Sequence, residues 1–553
     1  MAQKKIKKTT TSTDRLTCAL TEIIAETNGI TLGDTLELII AAPPEQLQKK
    51  DVQIIRDFYK LLLQFQIDQA DIHDLLEHPF SQALRGFFSN FPLTFREEHT
   101  HLTGALDGEF VYPRLEKALH GKHGDSIRDT ISAVYGIRPS SLRSMSSVDK
   151  LLRIQKNEAF DEYLQKLVLP KLLLTSRQDH ADAAYHMASK MYHQYNVGAI
   201  RLKFTYSRVN SSGSASETIP GASKLSSDDV VLGLYEGFDR FRKEVPSFEF
   251  ILSPCFRKEE DYFDAQNYSS KGDHVLHQVN EMLELIDRHP ELADHVKEVD
   301  TVGNERDFYR KSHFGEMQQA FRKLQFRGFR IRSHHGETWH RFRHGIQAVD
   351  NAMNIWHIDA LEHGVSMGVN PNYYFHRLYQ RVLEMNKKGK TINPTSPEGY
   401  ELLDMNWGSH QAIRDKLISG ERLSASDIVA FTKVKFHTAR EIEHYQHDVL
   451  NRLINKDISL MSLPSSNYKL TSRFGDYKDH PFSWWEKKGI RLGIGTDNYV
   501  TLDTDFIQEM MIILYTDPNQ LKITKLLMVA TGEKRRPFMS SVLWNHHKAI
   551  NKM

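Results

Sequence analysis

Cysteine is almost absent from this 553-residue chain: Cys18 and Cys255 are the only two, and they lie far apart. A disulfide framework and a cysteine-built zinc site are therefore both excluded. Net charge is lacking too, with 72 Lys and Arg against 71 Asp and Glu, a formal balance of +1. That evenness speaks against bulk electrostatic binding to nucleic acid or to an anionic membrane. No apolar run approaches the roughly 18 residues that a membrane span needs. The stretch from Met1 to Lys8 carries positive charge, but Thr9 to Asp14 stand where a signal peptide would have its apolar run. These absences lead us to expect a large cytoplasmic protein, with one enlarged enzyme domain or two to three ordinary ones. What the chain has in plenty is histidine, 28 in all.

Residues 1–13 read as a solvated basic tail. From 14 to 91 the pattern is helical: Leu16, Ala19, Leu20, Ile23 and Ile24 recur at helix spacing, as do Ile54, Ile55, Phe58, Leu61, Leu62 and Phe65. Pro43-Pro44 breaks this region, and Pro79 and Pro92 punctuate its end. Beyond Pro92, short apolar strands alternate with amphipathic helices. Strands are expected at 93–99, 198–205, 247–254, 296–302, 328–334, 358–362, 457–463 and 491–496, with helices such as 228–244, 273–288 and 314–325 between them. Eight strands separated by helices predict the α/β class and a (β/α)8 TIM barrel. The barrel is assigned to 92–553, behind a helical N-terminal region at 14–91. Residues 365–456, with helices expected at 372–387 and 426–455, read as a helical insertion after strand six. That insertion leaves the barrel at its catalytic face, where it could cover a pocket. No internal repeat is visible, and the Ser- and Gly-rich residues 207–227 read as a mobile loop.

His99 and His101 close the first strand. Residues two apart on a strand point the same way, so both imidazoles can face one metal. A His-x-His alone says little in a histidine-rich chain. Strand five, however, ends in Ser333-His334-His335-Gly336-Glu337, strand six in Leu361-Glu362-His363-Gly364, and strand eight in Gly495-Thr496-Asp497-Asn498. A barrel of this kind builds its active site at the C-terminal ends of its strands, and here four such ends carry metal-ligating or acid–base side chains. Three histidines and an aspartate suit one hard-to-borderline ion, with Zn2+ the natural occupant and an acidified water the consequence. Glu337 is better suited to proton transfer than to ligation. His363 is either a fourth ligand or a base; spacing leaves both open.

Six segments therefore stand in a fixed order. They are Glu98-His99-Thr100-His101-Leu102-Thr103-Gly104-Ala105, Asp300-Thr301-Val302-Gly303-Asn304-Glu305, the three strand ends just quoted, and Leu463-Pro464-Ser465-Ser466-Asn467 between the last two of those. In this order, over residues 93–531, the chain resembles the adenosine/AMP deaminases of the amidohydrolase superfamily. The resemblance implies one zinc per chain on His99, His101, His334 and Asp497. It implies Glu337 as the acid that protonates purine N1, His363 as the group that orients or deprotonates the attacking water, and Gly303 as a backbone contact to the base. The implied reaction converts an adenine nucleoside or nucleotide to its inosine counterpart and releases ammonia. The lack of a lysine in 302–305 disfavours the two-metal members of the superfamily.

The departures carry information as well. Thr103 stands where nucleoside deaminases hold an aspartate on the ribose 5′-hydroxyl, and losing that carboxylate removes a repulsion against a 5′-phosphate. Asn498 replaces a second aspartate that meets purine N7; an amide NH2 donates at any pH. His335 replaces a small residue and is expected to narrow or charge the pocket. Adenosine, AMP, ATP, their deoxy forms and adenine within RNA remain open as substrates, and His340-Arg341-Phe342-Arg343-His344 offers a local basic patch for RNA. The contrasting class is a metal-bearing barrel that acts only as an assembly scaffold, against which Glu337 and His363 argue. The two helical additions are compatible with the deaminase component of RADAR-type anti-phage systems, which works beside an ATPase partner. Being amphipathic, they are also expected to build a homo-oligomer.

Overall fold

The computed structural model describes residues 11–155, 158, 160–206, 220–222, 225–471 and 475–550. Most of the expected tail (1–13) and loop (207–227) lies outside them. All eight expected strands form, as β1 (Phe95–His101), β2 (Val197–Thr205), β3 (Glu249–Arg257), β4 (Glu298–Val302), β5 (Arg330–His335), β6 (Ala360–His363), β7 (Ser459–Ser462) and β8 (Leu492–Ile494). They pair in sequence order, every pair parallel. A parallel bridge between Thr100 and Asp497 joins the first strand to the end of the last. There the His101 N–H donates to the Asp497 carbonyl at 2.8 Å, and the Asp497 N–H to the His99 carbonyl at 2.9 Å. The architecture is a (β/α)8 barrel. Among the described residues no helix is long and apolar enough to cross a membrane.

Strand one begins two residues later than its sequence pattern suggests. The Asn196 side-chain amide donates to the carbonyls of Phe91 (2.9 Å) and Leu93 (3.1 Å), which pins residues 91–93 as a turn. Pairing starts only at Phe95, whose N–H donates to the Asn196 carbonyl. At its other end β1 runs two residues further than the pattern, so His99 and His101 both lie within it and His101 closes it.

Side chains alternate between the barrel interior and the surrounding helices. On β2, Ile200, Leu202 and Phe204 are buried apolar residues, and the intervening Arg201 and Lys203 belong to an ionic interior. Arg201 pairs with Glu98 (2.9 Å) and Glu298, Arg332 with Glu362, and Lys203 with Asp300 and Glu362. Barrels of this class usually fill their interior with branched apolar side chains. Buried ion pairs gain little net stability because desolvation offsets the attraction, so this interior serves geometry more than stability.

The N-terminal helices, Ser12–Glu26 to Pro79–Ser89, turn Leu16, Leu20, Ile24, Ile55 and Phe58 inward, and all are buried within this chain. They pack on helices Phe506–Thr516 and Arg536–Ile550, which follow β8. After β6 come helices Pro371–Lys387, Pro397–Asp404, Gln411–Ser419 and Ala425–Asn455. The last packs against Phe342–Asn351, and its Gln446 amide donates to the carbonyls of Ser366 (2.8 Å) and Val369 (2.9 Å). It thereby supplies the barrel's own helical layer between β6 and β7.

One buried carboxyl in the helix after β8 gives a stability prediction. Glu509 accepts from the Ser465 N–H at 2.9 Å and from the Thr504 hydroxyl, and burial pushes its carboxyl up to about 7. Its folded pKa lies above its unfolded value, so its contribution is fully present below about pH 4 and is lost as pH rises through about 7. Relative to Glu509→Gln, the wild type should lose about 1–3 kcal/mol of stability between pH 5 and pH 8. Denaturant unfolding of both proteins at three pH values measures this, and parallel pH dependences would refute it.

Candidate metal centre and active site

His99 is fully buried on β1, and its Nδ1 lies 2.6 Å from Glu362 Oε2 on β6. A carboxylate only accepts, so Nδ1 carries the proton and Nε2 keeps its lone pair. The same holds on β5, where His334 Nδ1 donates to Asp300 Oδ1 at 3.1 Å. His101 Nε2 lies 3.2 Å from His99 Nε2, and one nitrogen from each of the three rings lies within 4.8 Å of the others. Asp497 Oδ1 is 3.4 Å from His101 Nε2 and 3.7 Å from His99 Nε2, while its Oδ2 accepts from the Ser466 hydroxyl at 2.6 Å. Burial pushes the His101 imidazole down to about 3, and burial together with the neighbouring imidazoles pushes His334 well down. Both are neutral at physiological pH, the form that ligates. For Asp497, burial acts upward but the neighbouring imidazoles, His99 first, outweigh it and hold the carboxyl well below its usual range.

This donor set fits a metal. A proton on His101 could satisfy one pair of the converging atoms, whereas a divalent cation satisfies all of them. Imidazoles whose far nitrogen donates to a carboxylate are the arrangement metal ligands adopt. Three nitrogens and one carboxylate oxygen suit zinc.

Beside this cluster stand Glu337 and His363. The loop carrying Glu337 is fixed by Glu305, whose carboxylate accepts the N–H groups of Gly336 (2.9 Å), Glu337 (2.6 Å) and Thr338 (2.6 Å). Burial pushes the Glu337 carboxyl up to about 7, so it is partly protonated at neutral pH. Its Oε2 lies 3.9 Å from His363 Nε2. His363 Nδ1 donates to Asn467 Oδ1 at 2.9 Å, and the Asn467 amide donates to His480 Nε2 at 3.1 Å. Burial pushes His480 down to about 3, which leaves it a neutral acceptor. The chain of bonds turns His363 Nε2 toward Glu337. Burial alone would lower His363, but the charges of Glu337 and Asp497 outweigh it and raise the imidazole. His363 (φ +63°) and Asp497 (φ +64°) are both left-handed, which breaks strand alternation where each side chain must turn to the site. Such conformations cost roughly 1–3 kcal/mol in a non-glycine residue.

A cavity of about 130 Å³ is lined by His101, Thr103, Gly303, His334, Glu337, His363 and Asp497. A Cβ on Gly303 (φ +106°) would meet the Glu259 carboxylate at 2.2 Å, so no side chain fits there. Phe160, Tyr163, Leu164 and Leu167 of the β1–β2 crossover also line the cavity, whereas none of its lining residues comes from 14–91 or 365–456. A larger cavity, about 830 Å³, lies near Asp149, Tyr468 and Asp476, away from these groups.

Asn498 sits beside the cavity rather than in its lining, with its amide donating to Asp497 Oδ1 (2.7 Å) and Tyr163 OH (2.6 Å). His335 points outward by strand alternation. It bonds Ser333 and packs between Phe314 and Trp356, so it neither narrows nor charges the pocket. The 340–344 cluster is engaged within the fold: Arg341 and Arg343 pair with Asp404, and His344 stacks on Tyr309 at 3.5 Å. Sequence reading passed over Lys203 and His480, and took Asp300, Glu305, Glu362, Ser466 and Asn467 only as motif members. The available signal was a pair of charges two apart, Arg201-x-Lys203, in an otherwise apolar strand.

No family model matches the chain, and no curated protein matches it. Among solved structures it is similar to adenine deaminase from Arthrobacter aurescens, at 12% identity and TM-score 0.46 over 83% of this chain and 100% of that one. It is also similar to an amidohydrolase from Burkholderia ambifaria solved with bound zinc (14%, TM-score 0.45, 85% and 95%) and to N6-methyl-AMP deaminase from Arabidopsis thaliana (12%, TM-score 0.44, 84% and 99%).

Proposed function

We propose that this chain is a hydrolytic deaminase of adenine nucleosides or nucleotides, of the adenosine/AMP deaminase kind within the amidohydrolase superfamily. The observation that carries this reading is the pairing of a partly protonated Glu337 with His363, 3.9 Å apart, beside three histidines and an aspartate. A metal-bearing scaffold has no use for that pair. His99, His101, His334 and Asp497 would hold zinc, which when bound lowers the pKa of a water toward neutrality. Glu337 donates its proton to the ring nitrogen next to the amino-bearing carbon and makes that carbon more electrophilic. His363 Nε2 holds the attacking water and accepts its proton. Gly303, in the cavity lining, would contact the base through its backbone. The amino group takes the proton held on His363 and leaves as ammonia, while the new C–OH gives its proton to Glu337, which restores both residues. At about 130 Å³ the cavity is smaller than the roughly 300–1,000 Å³ of typical ligand pockets, which fits a base with its sugar extending outward.

Incubation with adenosine, deoxyadenosine, AMP, ATP and dATP should release ammonia from at least one of them; release from none would overturn the reading. Thr103, 8% exposed, lines the cavity without a carboxylate, so a 5′-phosphorylated substrate should be used at least as well as adenosine. Thr103→Asp should then raise KM for the nucleotide about tenfold or more, with a smaller effect on adenosine, because like charges meet. A wild type that strongly prefers adenosine would refute this.

Assembly is a second part of the reading. Residues 14–91 leave Ile67 exposed and residues 365–456 leave Tyr373, Val429 and Phe436 exposed, and a homo-oligomer that buries them gives a multiple of 64.0 kDa in light scattering. A monomer at micromolar concentration would refute it.

A further inference from the structure

Two of the metal-facing imidazoles lean on different carboxylates, and both carboxylates lean on one lysine. Lys203 on β2 is fully buried, and its Nζ donates to Asp300 Oδ2 and, at 3.0 Å, to Glu362 Oε1. The second oxygen of Asp300 accepts from His334 Nδ1 at 3.1 Å, and the second oxygen of Glu362 is the one 2.6 Å from His99 Nδ1. Each carboxylate is thus gripped at one oxygen by the same ammonium and presents the other to a ring nitrogen, with Asp300 Oδ1 also accepting from the Thr301 N–H at 2.7 Å.

We propose that Lys203 is the positioning residue of the metal centre, a single buried ammonium that sets the planes and tautomers of His99 and His334 together. The proposal rests on the metal-site reading above. Without the ammonium, Asp300 keeps only the Thr301 N–H, on the same oxygen that meets His334, so its plane is no longer fixed at the other oxygen and its hold on the Nδ1 proton loosens. The ring is then free to carry its proton on Nε2, where it blocks ligation. Arg332 also holds Glu362, whereas among the described residues Lys203 is the cation that holds Asp300. Loss of Lys203 therefore acts chiefly through Asp300 on His334. Net stability gives little reason to keep a lysine here, since burying it and two carboxylates costs about as much as their attraction returns.

The test is a double-mutant cycle on Lys203→Met and Asp300→Asn, read by zinc affinity in chelator competition and by histidine ring-nitrogen NMR signals of the metal-free protein. Lys203→Met should weaken zinc binding about 10- to 100-fold, the usual effect of losing a partner behind a ligand. Asp300→Asn should do the same, and the double variant should be no more than about threefold worse than the weaker single, because both break one hold. In the metal-free single variants a ring signal should move from Nδ1-protonated toward Nε2-protonated. Should Lys203→Met fail to fold, Lys203→Gln, which keeps an N–H donor and much of the bulk, is expected to show a smaller loss of the same kind. A folded Lys203 variant with wild-type zinc affinity and unchanged ring signals overturns the proposal. Fully additive losses overturn it too, since Lys203 would then not act through Asp300. A wild type that takes up no zinc refutes the metal reading instead, while the metal-free ring signals still decide the positioning role.

Discussion

Glu337→Gln is expected to keep the fold and the bound metal and to lose roughly 10²–10⁴-fold in turnover, the range general acid–base catalysis supplies. The substitution is nearly isosteric, and the backbone of its loop is held from outside by Glu305, so the amide should occupy the same place. What changes is the proton. Burial keeps the Glu337 carboxyl near 7, where it can both give a proton to a ring nitrogen and take one back. An amide hydrogen can bond to that nitrogen but cannot be transferred to it. The loss should therefore fall on kcat, with KM changed little. Steady-state kinetics beside metal analysis of the same preparation make the measurement. A variant with wild-type kcat would remove Glu337 as the acid, and one that loses zinc as well as turnover would show that Glu337 supports the metal.

The strand count, strand order and four chemical strand ends were legible in the sequence because period-two apolar runs and short motifs are local signals. What was not legible depends on closure. The companions of His99 and His334 sit 263 and 34 residues away in the chain, and only the barrel brings Glu362 and Asp300 to their Nδ1 atoms. Lys203 carries no motif at all; its meaning appears only when the closed barrel brings Asp300 of β4 and Glu362 of β6 to it across the interior. Asn498 is a different case: its place in a motif suggests a donor to substrate, and in the fold its amide donates to Asp497 and Tyr163. His335 was misread for a simpler reason: it neighbours a site residue in sequence, and alternation along β5 sends the two to opposite sides of the strand. The long first crossover was read only as a run of helices, and it is this segment that reaches over the cavity.

The double variant His99→Ala/His101→Ala should carry almost no zinc, whereas wild type purified without added metal should carry one per chain. Two of the three converging nitrogens vanish, and His334 with Asp497 alone leaves a site of two ligands where zinc takes four. Two effects on stability must be separated. Removing the buried His99 ring leaves space and takes a partner from Glu362, which still has Lys203 and Arg332. Losing the metal removes the stabilisation that any ligand of the folded state confers, about 4 kcal/mol when its concentration is about 1,000-fold above Kd. Only the second effect responds to a chelator. Wild type should therefore show a lower Tm after prolonged chelation, and readdition of zinc should restore it. The double variant should melt at one temperature whether or not chelator is present. Equal metal content in the two proteins, or an equal chelator shift, would mean that the ion sits elsewhere, and the assignment of His99 and His101 as ligands would fail with it.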